Sequence, residues 1–310
     1  MVLVTAGVVQ VARVALDRSF AGIERDTARQ SIERVRRALN ADLNQLQLTT
    51  ADYGNWDSTW SYAVGENPDY VADEINPDVL VGLNVDLAWV DGTGARDIVS
   101  LGSSEAAKRV ADGSPVEALA ELRSHASSLV ARLAADKNAP DTATVELMRT
   151  PAGILAVAVV PIRHTDRTGP VVGTFGFARH LGREVVARLE ETSQQSAALI
   201  PLDASGRAGQ ALPQDVEAWL APGARSAEPF LKFDDPRTLG GYALLNDLEG
   251  RPLALLTTSV PRDVLQLGKR TIAAVVSALV VGFTAVVLIL LSVLNRTWRA
   301  REATEQRYRT

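Results

Sequence analysis

The sequence predicts an α+β domain joined to a membrane-spanning helix. Three observations carry this. A long amphipathic helical pattern opens the chain, short strand patterns alternate with turn signals through its middle, and an uncharged apolar run closes it. Composition sets the bounds: 310 residues, 46% hydrophobic and 22% charged, with no cysteine. That is the profile of a folded domain, with disulfides and thiolate metal sites excluded. His125, His164 and His180 show no metal-ligand spacing, so neither a metal nor a cofactor is expected.

The opening run MVLVTAGVVQVARVAL, within residues 1–19, is apolar but broken by Gln10 and Arg13. It reads as a truncated first membrane helix or a signal-anchor, with a soluble amphipathic helix as the plainer alternative. Over residues 20–52, Ala28, Ile32, Val35, Leu39, Leu43 and Leu46 recur at spacings of three and four. Such a stripe makes one face of a helix. It serves either to pack on the domain or to pair with a second copy.

Asp52-Tyr53-Gly54-Asn55-Trp56-Asp57-Ser58-Thr59-Trp60-Ser61-Tyr62 follows, then two Asn-Pro turn signals at Asn67 and Asn76. Val85–Val90 and Ala95–Ser100 form a strand pair around the Asp91–Gly94 turn. Ser114-Pro115-Val116-Glu117 is a capping box that opens a helix to about Ala135. Strands are predicted at Thr144–Arg149, Ile154–Ile162 and Val171–Ala178, the last two joined by the polar loop HTDRTG. A short helix carries Leu181, Val185 and Leu189, and weaker strands lie at Ala197–Leu202, Leu239–Asn246 and Leu253–Val260. Residues 261–294 read as one helix entering the membrane.

The run Thr271–Leu294 is uncharged. A helix rises about 1.5 Å per residue, so about 20 apolar residues cross a hydrocarbon core. Residues 295–310 hold five arginines against Glu302 and Glu305. This excess puts the C-terminal side in the cytoplasm, and Trp298 suits the interface. The chain carries −5 overall, so the remaining body is acidic, which argues against a nucleic-acid partner.

The order long helix, strand pair, helix, three strands suits a mixed antiparallel sheet and PAS/Cache-like periplasmic sensor folds. The expected boundaries are 20–180 for the long helix and a sensory lobe, 181–262 for a smaller membrane-proximal lobe, 263–294 for the helix with its span, and 295–310 for a cytoplasmic linker. The Asp52–Tyr62 run is the most specific part of a wider resemblance. Leu83-Asn84-Val85-Asp86-Leu87, Asp91–Gly94, Pro161-Ile162, Gly169-Pro170, Gly173-Thr174, Gly240-Gly241-Tyr242 and Val260-Pro261-Arg262-Asp263 continue it in order. From residue 20 to the membrane, the chain resembles the CHASE extracellular sensory domains, in particular the fourth type. The resemblance implies a bacterial inner-membrane receptor with an extracytoplasmic sensor. Its output would be a histidine kinase or a cyclic-di-GMP enzyme following the linker-like Arg301–Arg309.

The candidate ligand residues are Trp56, Asp57, Trp60 and Tyr62, with Tyr53 and Asp52 behind them. If the run is one helix, Tyr53, Trp56 and Trp60 share a face. Aromatic faces beside a carboxylate suit a small organic or cationic ligand. Large aromatics equally serve as fold anchors, and that plainer reading ranks first. His164 in its loop reads as solvated or capping, and Arg163, Arg167 and Arg179 either contact an anionic ligand or, on the plainer reading, are surface charges. No nucleophile–His pair or phosphate loop supports catalysis, so an enzyme is not expected. A membrane-anchored hydrolase using Asp52 and Asp57 is the alternative, and a passive membrane-anchored interaction protein the other. A homodimer is expected, because the apolar stripe from Ala28 to Leu46 offers a pairing face and a single span offers little internal machinery for relaying a signal.

Overall fold

A computed structural model describes residues 2–100, 143–150, 153–221, 228–235 and 237–307. The capping-box helix expected at 114–135 lies outside them. The first helix, α1, runs from Val2 to Gly54, longer at both ends than its stripe required. Ala28, Ile32, Val35, Leu39 and Leu46 on that stripe are all at most 2% exposed. They are buried against the domain's own sheets: Ile32, Val35, Leu39 and Leu46 share one core with Ala156, Ala158, Val160, Phe175 and Phe177, and with Ala243, Ala254 and Leu256. Core packing therefore uses the face that had been open to pairing with a second copy.

Three short helices follow: α2 (Asp57–Ala63), α3 (Tyr70–Glu74) and α4 (Pro77–Gly82). The Asn-Pro signals lead into the two later helices, the first through a turn at Pro68-Asp69. At α4, the Asn76 side chain caps by accepting from the Val79 amide, with Pro77 in the first helical position.

The first sheet has the order β2-β1-β5-β4-β3. Its strands are β1 (Leu87–Gly92), β2 (Arg96–Ser100), β3 (Thr144–Thr150), β4 (Gly153–Pro161) and β5 (Gly173–His180), and every pairing is antiparallel. Side chains alternate between faces, so one face meets α1. Leu87, Trp89, Met148, Leu155, Val157, Val159 and Ala178 form a second buried cluster on the other. With both faces buried, β4 reads as a continuous apolar run.

Helix α5 (Arg183–Ser193) leads to a second sheet of order β6-β9-β8-β7. Its strands are β6 (Ala198–Pro201), β7 (Phe230–Asp235), β8 (Thr238–Asn246) and β9 (Pro252–Pro261). Helix α6 (Gln214–Leu220) packs Val216, Trp219 and Leu220 against Leu202, Tyr242 and Leu255. Neither β7 nor α6 was anticipated from the sequence. Gly241 faces α1 so closely that an added β-carbon would lie 3.1 Å from Ile32 Cβ.

Arg179, expected at the surface, is buried with a 6% exposed side chain. It donates to Asp42 Oδ2 on α1 at 2.7 Å and to the carbonyls of Leu83 and Asn84. Arg188 of α5 approaches the same carboxylate at 3.5 Å. A buried guanidinium needs this set of acceptors to replace water.

The residues Thr27–Val260 form one compact unit, and Met1–Asp26 with Pro261–Thr310 another. In the latter, α7 spans Asp263–Arg307. Its segment Ser277–Arg299 is long and apolar enough to cross a membrane and has none of its length buried. At the head of α7, Arg262 makes a two-pronged ion pair with Glu24 of α1, donating from Nη2 to Oε2 at 2.9 Å and from Nε at 3.2 Å. Both side chains are largely shielded.

Candidate functional site

The Asp52–Tyr62 run is two helices joined by a corner, not one helix. Gly54, the last residue of α1, lies on β4, where any side chain would collide with Val160 Cγ1. The last turn tightens, with Asn55 N donating to Asp52 O and Trp56 N to Tyr53 O. Trp56 is then extended (φ −79°, ψ 140°) and caps the start of α2. Tyr53, Trp56 and Trp60 therefore do not share a helical face.

The corner is held by rings. Tyr53 stacks on Trp56 with centroids 4.1 Å apart and meets Phe177 edge-on at 5.2 Å. Tyr62 stacks on Tyr70 at 5.1 Å, and both are buried. Thr59 Oγ1 lies 2.6 Å from Tyr53 O and 2.7 Å from the Tyr70 hydroxyl. Its single proton goes to the carbonyl, so the Tyr70 hydroxyl donates to Thr59. Burial raises the Tyr70 pKa and, more weakly, that of Tyr53, so both phenols stay neutral donors.

Asp57 and Trp60 point to the β4–β5 loop. Asp57 Oδ1 accepts from the Thr165 amide at 3.1 Å and from His164 Nδ1 at 2.9 Å. The Thr165 bond first, and His164 second, lower the Asp57 pKa below the ordinary 3.8. The carboxylate fixes the tautomer, since Nδ1 must carry the proton it donates. The Trp60 indole stacks on the same imidazole, centroids 4.2 Å apart. His164 is thus a clamped member of the corner rather than a solvated loop residue, and the sequence offered no signal for a contact 107 residues away.

The structure therefore brings five of the six candidates into one corner. Tyr53 and Tyr62 face the core, while the Asp57 side chain is 67% exposed. Asp52 stays exposed on the last turn of α1, and only its charge is felt, at Tyr53. Thr59, Tyr70 and His164 are the members that sequence reasoning missed. A separate cavity of about 340 Å³ lies at the second sheet, lined by Ile200, Leu212, Tyr242 and Thr257 among others, with no corner residue in its wall.

The CHASE4 domain model matches residues 38–199, which run from α1 through both clusters of the first sheet to β6. The chain belongs to the CHASE4 domain family. It is 30% identical over 241 residues to the methanogenesis regulatory histidine kinase FilI of Methanothrix harundinacea, covering 76% of this chain and 24% of the kinase. The chain thus spans about a quarter of that relative's length. Among solved structures it is similar to the periplasmic domain of Vibrio cholerae LuxQ, with a TM-score of 0.44 and 12% identity over 76% of this chain and 99% of that one. It is also similar to the periplasmic sensory domain of the Campylobacter jejuni chemoreceptor Tlp1, with a TM-score of 0.31 and 9% identity over 78% of this chain and 93% of that one. Beyond the matched residues the chain continues through the second sheet into α7, the helix with the apolar segment.

Proposed function

We propose that the chain is the extracytoplasmic input module of a receptor in the bacterial inner membrane. A small molecule outside would shift the balance between two arrangements of the helices that enter the membrane. A ligand moves such a balance only through different affinity for the two states. One observation carries the reading: a CHASE4 match over residues 38–199 in a chain whose last strand, β9, leads through Arg262 into a helix holding an apolar span. The histidine-kinase relative supports a kinase output in place of a cyclic-di-GMP enzyme.

In this reading residues 20–180 form the sensory lobe and 181–262 a smaller second lobe. Trp56, Asp57 and Trp60 border or support the ligand site, with Tyr53 and Tyr62 as its anchors. The hydrolase alternative is disfavoured, because Asp57 stays ionised and is already committed to His164 and Thr165. A homodimer belongs to the same proposal, with an interface away from the buried α1 stripe.

Topology tests the reading. A phosphatase active only outside the cytoplasm, fused after residue 250, should be active, and fused after residue 305 should be silent. The reverse pattern would overturn it.

A further inference from the structure

We infer that the cavity at the open edge of the second sheet is a ligand site of its own, and that it takes a small uncharged alcohol with a carbon body. This goes beyond the receptor reading, and the site lies apart from the Asp52–Tyr62 corner.

The cavity is built at an edge. Strand β6 pairs only with β9, with Ala198 opposite Thr257. After β6 the chain turns back, bridging Leu202 to Ala208, and runs through residues 208–213 into α6. The cavity of about 340 Å³ lies between this returning segment, β6 and the end of β9. That is within the range of about 300–1,000 Å³ usual for small-molecule sites, at its lower end. Its mouth meets solvent, since Ala198, Gln210 and Ala211 in its wall are exposed.

One end of the wall is already fixed. Ser196 Oγ donates to Ser259 O at 2.9 Å and accepts from Ser259 N at 3.1 Å. Thr258 Oγ1 donates to Ser196 O at 2.7 Å. These bonds tie the residues ahead of β6 to β9, so a ligand need not order them on arrival.

The lining sets the ligand's class. Among the described residues the wall holds no charged side chain. A charge taken out of water without a partner is costly, so the ligand is neutral. Glu190, whose carboxylate accepts from the Ala197 amide at 2.9 Å beside the wall, repels anions further. Ala198, Ile200, Ala211, Leu212 and Pro213 are apolar and suit a carbon body. Thr257 Oγ1 is 3.4 Å from the Ala198 carbonyl, a stretched contact that leaves the hydroxyl able to turn to a ligand. The Gln210 amide at the mouth both donates and accepts. A hydroxyl group complements both, because it too donates and accepts.

The site also has a position from which to signal. Thr257, Thr258 and Ser259 stand on β9, and only Val260 and Pro261 separate Ser259 from Arg262 at the head of α7. A ligand that shifts β9 therefore acts on the strand that runs into the membrane helix.

The test uses the full chain in lipid nanodiscs. Because the chain has no cysteine, Ala211→Cys places a single thiol in the cavity wall. Cyclohexanol is the probe, and cyclohexanecarboxylate and cyclohexylammonium are the charged controls. Cyclohexanol should slow maleimide labelling of this thiol with a saturating dose dependence. It should leave the thiol of Leu248→Cys, at a 50% exposed position outside the wall, unaffected. The charged controls should bind at least about tenfold more weakly. Thr257→Val keeps the shape, removes the hydroxyl and should weaken cyclohexanol about threefold to tenfold. Ala198→Trp fills the cavity from an exposed position and should abolish protection while melting close to the wild type. The site is refuted by labelling that cyclohexanol does not slow, by equal slowing at Leu248→Cys, or by equal binding of either charged control. Unchanged cyclohexanol binding in Thr257→Val also refutes it, and that variant decides the matter if the tryptophan upsets the strand. None of these outcomes bears on membrane topology, so the site and the receptor reading can fail separately.

Discussion

Removing the Asp42 charge should destabilise the domain far more than removing its partner. Asp42→Asn keeps the shape of the side chain but leaves the Arg179 guanidinium, 6% exposed, without its anion. Stranding one member of a buried pair costs about 3–5 kcal/mol. The carbonyls of Leu83 and Asn84 still accept from Arg179, which puts the loss near 3 kcal/mol. The second contact, to the half-exposed Arg188, adds at most about 1 kcal/mol. A loss of that size is a large fraction of an ordinary domain stability of about 5–15 kcal/mol. Arg179→Met is the milder change, because Asp42 keeps Arg188 and some water. The double variant should regain part of the loss, since it leaves no buried charge without its counter-charge. Urea unfolding of the full chain in nanodiscs, followed by tryptophan fluorescence, measures all three. An Asp42→Asn loss under about 0.5 kcal/mol, or a double variant as unstable as the two single losses added, would refute the reasoning.

Burial of the α1 stripe predicts thiol chemistry. In this cysteine-free chain, cysteines at Val35 and Leu39 should resist a maleimide while one at the 64% exposed Leu48 reacts at once, and rapid labelling of all three would contradict the packing. Acid titration tests the corner. The folded-state pKa of Asp57 is depressed, so its contribution is present above the unfolded value of 3.8 and is lost as pH falls through the lower folded value. The melting difference between wild type and Asp57→Asn should therefore hold from pH 7 to about 4 and close below it. A difference unchanged at pH 2.5 would remove the carboxylate from the clamp.

Local order was readable where one physical pattern ruled. The stripe from Ala28 to Leu46 and the β-branched run at Ile154–Ile162 each have one period and one fate, and the structure follows them. The partner of the stripe was not readable, because periodicity shows a face and not what covers it. The corner was misjudged for a different reason. The local stop is Gly54-Asn55, with Asn55 Nδ2 donating to the Ala51 carbonyl, but the reach of Thr59 back to the Tyr53 carbonyl and the packing of Gly54 on Val160 are tertiary and left no mark in the spacing. His164 and Arg179 were misplaced likewise, since their partners Asp57 and Asp42 are distant in sequence.

The Glu24–Arg262 pair has a consequence for engineering. Grafting this CHASE4 domain onto another receptor's membrane helices requires two cut points, one in α1 and one ahead of α7. A cut that parts these two residues, 238 positions apart in sequence, would take one shielded charge with the insert and leave its counter-charge behind in the host. Chimaeras cut before Glu24 and after Arg262 carry a neutral pair across as a unit. The workable seam lies ahead of Glu24 at one end and beyond Arg262 at the other.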